Sequence, residues 1–145
     1  MLTVGQRHPR ADGAIAGVSA RDGDAVFTSG DYERFYQKDG KRLHHILDPT
    51  TGAPATKTIS VTVIHNDAAL ADAAATALFV AGPEHWQTIA RQLAVKRVML
   101  IDDRLNVWMT PQIQSQIAIL DDSVIVHLTK MRNGSSDSDT PETKN

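Results

Sequence analysis

With 145 residues, 41% of them hydrophobic and 22% charged, the chain is long enough for one domain with a real core and too short for two ordinary ones. Its net charge of −2, with acids and bases interspersed, excludes a basic face for nucleic acid or anionic lipid. The absence of cysteine excludes disulfides, thiolate metal sites and thiol nucleophiles.

The opening Met1-Leu2-Thr3-Val4-Gly5-Gln6-Arg7-His8 has no apolar core of the kind a secretory signal needs. Next, Ala14-Ile15-Ala16-Gly17-Val18 reads as a short strand, Asp22-Gly23-Asp24 as a turn, and Ala25-Val26-Phe27-Thr28 as a strand ending at Ser29-Gly30. Residues 31–37 and 42–47 flank Lys38-Asp39-Gly40-Lys41, and Asp-Gly between two such runs signals a hairpin. From Lys57 onward, Ile59, Val61 and Val63 alternate with Thr58, Ser60 and Thr62, which predicts a half-buried strand.

A helix capped by Asn66 or Asp67 is predicted to run to about Ala81 and stop at Gly82. Pro83 suits the first turn of a second helix, whose apolar stripe is Trp86, Ile89, Ala90 and Leu93. The longest apolar run, residues 68–81, is interrupted by Asp72 and too short to span a bilayer. Residues 97–101 and 105–109 then form a hairpin around Asp102-Asp103-Arg104, and β runs over 113–120 and 123–128 close the domain. Residues 131–145 have nothing to bury and read as a disordered polar tail behind a domain of residues 1–130. The fold class predicted is α+β, a mostly antiparallel sheet with a helix pair inserted midway.

The densest chemistry lies in His44-His45-Ile46-Leu47-Asp48-Pro49-Thr50-Thr51-Gly52-Ala53-Pro54. Asp48-Pro49 and Thr51-Gly52 build a turn whose backbone N–H groups and threonine hydroxyls could hold an anion, beside a histidine able to take a proton near neutral pH. Composition equally allows a well-made turn in which Asp48 bonds its own backbone. Adjacent His44 and His45 point to opposite faces of a strand, so only one of them faces a site. Asp72 and Thr76 lie one helical turn apart and offer hard oxygens suited to Mg²⁺; a dipole-favoured Asp and a Thr bonded back to a carbonyl have the same spacing. Thr28-Ser29-Gly30 permits close approach of a ligand at a strand end, as any plain turn does. His65, His85 and His127 read as surface or strand residues, and Trp86 and Trp108 as core.

Four segments together resemble one family. Thr28-Ser29-Gly30-Asp31-Tyr32-Glu33-Arg34, Gly40-Lys41-Arg42-Leu43-His44-His45-Ile46-Leu47-Asp48-Pro49 with Thr51-Gly52-Ala53-Pro54, Ser60-Val61-Thr62-Val63, and Ala71-Asp72-Ala73-Ala74-Ala75-Thr76 occur in the order and spacing of the C-terminal part of the FAD:protein FMN transferases, the ApbE family. The resemblance implies Mg²⁺-dependent transfer of FMN from FAD to a serine or threonine hydroxyl of an acceptor flavoprotein, with AMP leaving. It implies Asp72 and Thr76 as Mg²⁺ ligands and His45 as a flavin-site residue, which makes His45 the candidate for the base that deprotonates the acceptor hydroxyl. Thr28, Ser29, Gly30, Ile46, Asp48, Thr51 and Gly52 would shape the FAD pocket.

Leu43 stands where the family often carries a tyrosine. The chain matches only about the C-terminal half of the family pattern, without its flavin-contacting N-terminal segment or the export signal of its periplasmic and lipoprotein members. The expectation is therefore a fragment or truncated member, with the N-terminal half as a further partner; the alternative is a non-catalytic flavin-nucleotide-binding remnant or an interaction domain.

Overall fold

In the computed structural model the described residues are 2–32 and 35–130, so the predicted polar tail and Glu33-Arg34 lie outside them. Two sheets and one long helix stack in three layers. The central layer is a five-stranded sheet in the order β10-β8-β7-β6-β3. Its strands are β3 (Ala25–Gly30), β6 (Thr58–His65), β7 (Arg97–Asp102), β8 (Asn106–Met109) and β10 (Ile125–Leu128). All neighbours run antiparallel except β10, which lies parallel to β8. One face carries helix α1 (Ala68–Gln92); the other is covered by a three-stranded sheet of β1 (Leu2–Arg7), β2 (Ala14–Ala20) and β9 (Ile117–Ile119). A separate hairpin pairs β4 (Phe35–Lys38) with β5 (Lys41–His44), turning through Asp39 and Gly40 at φ 52° and 72°.

Each layer boundary is an apolar core. Val61, Val63, Val98 and Leu100 point at α1 and meet Ala71, Ala74, Ala75, Leu78, Phe79 and Trp86. Ile64, Met99, Ile101 and Val107 point the other way, onto Ile15, Ala16 and Val18. This corrects the half-buried reading of β6. Thr58, Ser60 and Thr62 are as buried as their apolar neighbours, because the second sheet covers the face that alternation assigned to water.

The helix pair is present as one element with a break. Asp67 caps its start by accepting from the Leu70 amide at 3.1 Å. At Gly82 the backbone leaves the helical region (φ 74°, ψ 176°) and the chain resumes helically at Pro83. A positive φ of this kind is cheap for glycine alone. Among the described residues no helix is long and apolar enough to cross a membrane.

Two further readings change. The opening residues, which showed no strand pattern, form β1, with Leu2 and Val4 exposed and Gln6 buried. The predicted strand over 113–120 begins instead as a short helix, α2 (Pro111–Gln114), because Pro111 occupies its first turn after an extended Thr110; β9 follows.

Asp102 ties the β7–β8 turn. Its Oδ1 accepts from the Arg104 and Asn106 amides (3.0 and 2.9 Å), and its Oδ2 from Trp108 Nε1 (3.1 Å) and Asn106 Nδ2 (3.0 Å). Burial pushes its pKa up, but these donors outweigh burial and hold it below the ordinary carboxylate value. A depressed folded-state pKa stabilises the fold above the unfolded value near 3.8, and the stabilisation is lost as pH falls through the folded value. Asp102→Asn is expected to cost about 1.5–3 kcal/mol at pH 7 by urea unfolding, the range for hydrogen bonds to a charged group, with the deficit shrinking as both proteins are taken below pH 3.8. Phe79→Ala, which empties the α1–β6 boundary, is expected to cost about 3–5 kcal/mol in the same measurement at any pH.

Candidate functional site

Strand alternation separates the two adjacent histidines. His44, the last residue of β5, turns inward and is buried. Its Nε2–H donates to the Ala55 carbonyl (2.7 Å), its Nδ1 accepts from the Ile46 amide (3.2 Å), and its ring meets Phe79 edge-on at 5.4 Å. Both ring nitrogens are committed, so His44 is a structural clamp between β5 and residue 55. His45 lies on the exposed side.

The segment that follows is pinned to the α1 boundary by Ile46 and Ala55, both buried in that core, and by a bridge between Leu47 and Pro54. Ile46 therefore faces the core, and the loop between these anchors stands out as a turn. Asp48 Oδ1 accepts from the Thr50 amide (2.9 Å) and hydroxyl (2.7 Å). The Thr51 and Gly52 amides donate to the Asp48 carbonyl, and the Ala53 amide to Thr51 Oγ1. The amides that could have cradled an anion are thus consumed inside the turn, as in the plainer of the two readings of this sequence. The Thr50 hydroxyl and amide also hold the Asp48 carboxyl below its ordinary pKa, so it remains a carboxylate at neutral pH. Thr51 Oγ1 accepts within the turn and keeps its own proton for another partner.

This turn and the break in α1 face each other across a cleft of about 600 Å³, lined among others by Asp48, Thr51, Lys57, Val80, Gly82 and His85. Lys57 Nζ donates to Glu84 Oε1 at 3.0 Å across one end, and this bond holds the Glu84 carboxyl below its usual value. Lys57, Gly82 and His85 were not read as site residues from the sequence. The Gly82-Pro83 break was legible; what could not be read was that it faces residues 48–57.

A second cluster lies farther toward the start of α1. Ser29 Oγ of β3 and Thr76 Oγ1 of α1 stand 3.2 Å apart, and Asp72 is exposed one turn before Thr76 on the same helix face. Thr28, one residue earlier on β3, points through the sheet to the opposite layer, where it meets Gln6 and Thr62. Asp72, Thr76 and Val80 follow one another at four-residue spacing, so this face of α1 runs into the cleft about 6 Å, one helical turn, beyond Thr76. The tertiary structure thus joins Ser29 to Thr76, and Asp48 to Thr51 and the helix break. His45, Gly30, Ile46 and Gly52 do not line the cleft.

Among the described residues no group of three or more histidine, aspartate or glutamate side chains is placed to hold a metal ion. The Thr76 corner instead offers one carboxylate and two hydroxyls. These are hard oxygens, the donor type Mg²⁺ takes when water and phosphate complete its shell, so the set fits that ion as a partial site.

Comparison with known proteins agrees with this architecture. The ApbE family profile matches residues 2–100. Over 114 residues the chain is 43% identical to the FAD:protein FMN transferase of Rhodobacter capsulatus, a match covering 79% of this chain and 22% of that protein. Its fold is similar to the ApbE protein of Thermotoga maritima, with a TM-score of 0.72, 35% identity, and coverage of 79% of this chain and 38% of the other. It is likewise similar to the flavin transferase ApbE of Vibrio cholerae, with a TM-score of 0.64, 29% identity and coverage of 79% and 37%. The chain spans well under half the length of each of these relatives. Shared sequence over most of this chain, carried on the same α+β layers, makes it a member of the ApbE family.

Proposed function

We propose that this chain carries one wall of an FAD:protein FMN transferase site, which moves FMN from FAD onto a serine or threonine hydroxyl of an acceptor flavoprotein and releases AMP. The observation that carries the reading is the Ser29–Thr76 contact at 3.2 Å beside exposed Asp72, on a helix face that leads into the 600 Å³ cleft, in a member of a family whose relatives bear that enzyme name. Because the chain spans 22% of the Rhodobacter relative, the reaction is assigned to these residues together with the remainder of the family's length.

In the reaction the acceptor oxygen forms a bond to the FMN phosphorus, the bridging P–O bond of the pyrophosphate breaks, and AMP departs with that electron pair. The acceptor's proton passes to His45, exposed just past β5, while His44 is held away by its bonds to Ala55 and Ile46. Asp72, Thr76 and Ser29 would hold Mg²⁺, which when bound neutralises pyrophosphate charge. The Ser29-Gly30 strand end and the turn carrying Asp48 and Thr51 shape the two ends of the FAD pocket, with Thr28 holding the strand from the opposite face, Gly52 closing the turn and Ile46 anchoring the segment to the core.

The test mixes the purified chain with FAD, MgCl₂ and an acceptor flavoprotein, with and without the remaining portion of an ApbE relative, and looks for covalent flavin fluorescence on a denaturing gel. Labelling supports transfer. FAD binding without labelling in either mixture favours the flavin-nucleotide-binding remnant, and neither binding nor labelling overturns both readings. Asp72→Ala is expected to abolish the Mg²⁺-dependent part of FAD binding in a fluorescence titration. His45→Ala is expected to slow labelling about 10²–10⁴-fold, the range for losing a general base. His44→Ala should instead lower the melting temperature, since it strands the Ala55 carbonyl and opens the contact with Phe79.

A further inference from the structure

β1 presents an inversion of the usual pattern. Its apolar Leu2 and Val4 are exposed, and the residue it buries, at 7% exposure, is Gln6. The β1–β2 register shifts between Gln6 and Arg7, the irregularity of a bulge, and the Gln6 side chain lies between the two sheets. A buried primary amide is costly unless its two donors and its acceptor oxygen find partners. Here they do. Gln6 Nε2 donates to the Tyr32 hydroxyl (2.8 Å) and to Ser60 Oγ (3.3 Å), while Oε1 accepts from Thr28 and Thr62 (3.1 Å each). Thr28 and Thr62 are themselves 2.9 Å apart, so their two hydroxyl protons are shared over three contacts.

Two of these partners belong to β6, and the other two flank the end of β3. Thr28 immediately precedes Ser29, and Tyr32 follows Gly30 by two residues. The Tyr32 ring lies so close over Gly30 that a Cβ there would come within 2.7 Å of Cε1 and 2.9 Å of Cζ. The amide of Asp31 completes the strand end by donating to the Ile59 carbonyl (3.0 Å). Gln6 therefore grips β3 on both sides of Ser29, from the face of the sheet opposite α1. Ser29 and Thr76 both have short side chains, so their 3.2 Å contact tolerates little movement of the strand.

We infer that Gln6 is a positioning residue: through Thr28 and Tyr32 it holds Ser29 and the Gly30 strand end in register with Thr76, and so sets the oxygen corner from behind the sheet. The ligand-binding consequence rests on the flavin-transferase reading above; the structural consequence does not.

Two variants test it. Gln6→Met keeps the length of the side chain and removes all four bonds, and Tyr32→Phe keeps the ring over Gly30 and removes the acceptor of the Gln6 Nε2 bond. Amide hydrogen exchange of residues 29–31 is the first readout. Both variants are expected to speed it by about tenfold or more, the size of one net hydrogen bond, while exchange across β7 and β8 stays as in the wild type. Unchanged exchange at residues 29–31 in folded Gln6→Met and Tyr32→Phe would overturn the inference whatever the protein binds. The second readout is the Mg²⁺ concentration that half-saturates FAD binding, expected to rise about tenfold in Gln6→Met with Mg²⁺-independent binding unaltered. Loosened exchange with an unshifted Mg²⁺ midpoint would confine Gln6 to holding the strand and overturn its link to the oxygen corner. A wild type with no Mg²⁺-dependent FAD binding would instead count against the functional reading, leaving the exchange result to decide the role of Gln6.

Discussion

The close approach of α1 to β6 is the constraint on which the rest of this molecule depends. It is made by small residues: Ala71, Ala74 and Ala75 meet Val61 and Val63 before the larger Leu78, Phe79 and Trp86 widen the boundary. Alanine loses no side-chain rotamer freedom on burial and lets a helix lie near a sheet. That nearness brings a threonine hydroxyl of the helix against a serine hydroxyl of the neighbouring strand β3. The helix thus presents a core face and a chemical face a few ångströms apart, and the first fixes the second.

The same boundary organises the other end of the candidate site. Phe79 receives the His44 ring edge-on, and Ile46 and Ala55 join it in the core, so the segment that looks most chemical is held by its least chemical residues. Three residues later in α1 the backbone breaks at Gly82, and the space between that break and the anchored turn is the cleft. On the far side of the sheet the logic is polar. Ser60 and Thr62 are fully buried beneath β1 and β2, a cost that Gln6 offsets by bonding both of them together with half-buried Thr28.

Legibility followed the range of the interactions. The Asp39-Gly40 hairpin and the Gly82-Pro83 break are governed by residues within a few positions of one another and could be read directly, and the helix start was read to within one residue, Asn66 or Asp67, of which the structure uses Asp67. The opposed directions of His44 and His45 were readable from strand alternation. The full burial of β6 was not, because nothing in Thr58-Ile59-Ser60-Val61 states that a second sheet will cover its polar face. β1 was missed for a related reason: a strand with exposed Leu2 and Val4 and a buried Gln6 carries no amphipathic pattern. The anion-cradling potential of residues 50–53 was also a local reading, and the turn's own hydrogen bonds decided against it.

By itself the sequence determined the α+β class, the element that carries Asp72 and Thr76, the turn at Asp48, and the family these motifs resemble. All of these follow from spacing along the chain, which short-range sterics and hydrogen bonding convert into structure. Only the tertiary structure decided that Ser29 meets Thr76 across 47 residues, that Lys57 and His85 join the cleft, and that a glutamine on the first strand holds the opposite side of that corner. Those are contacts between residues distant in sequence, settled by how layers pack, and no local pattern records which faces will be brought together.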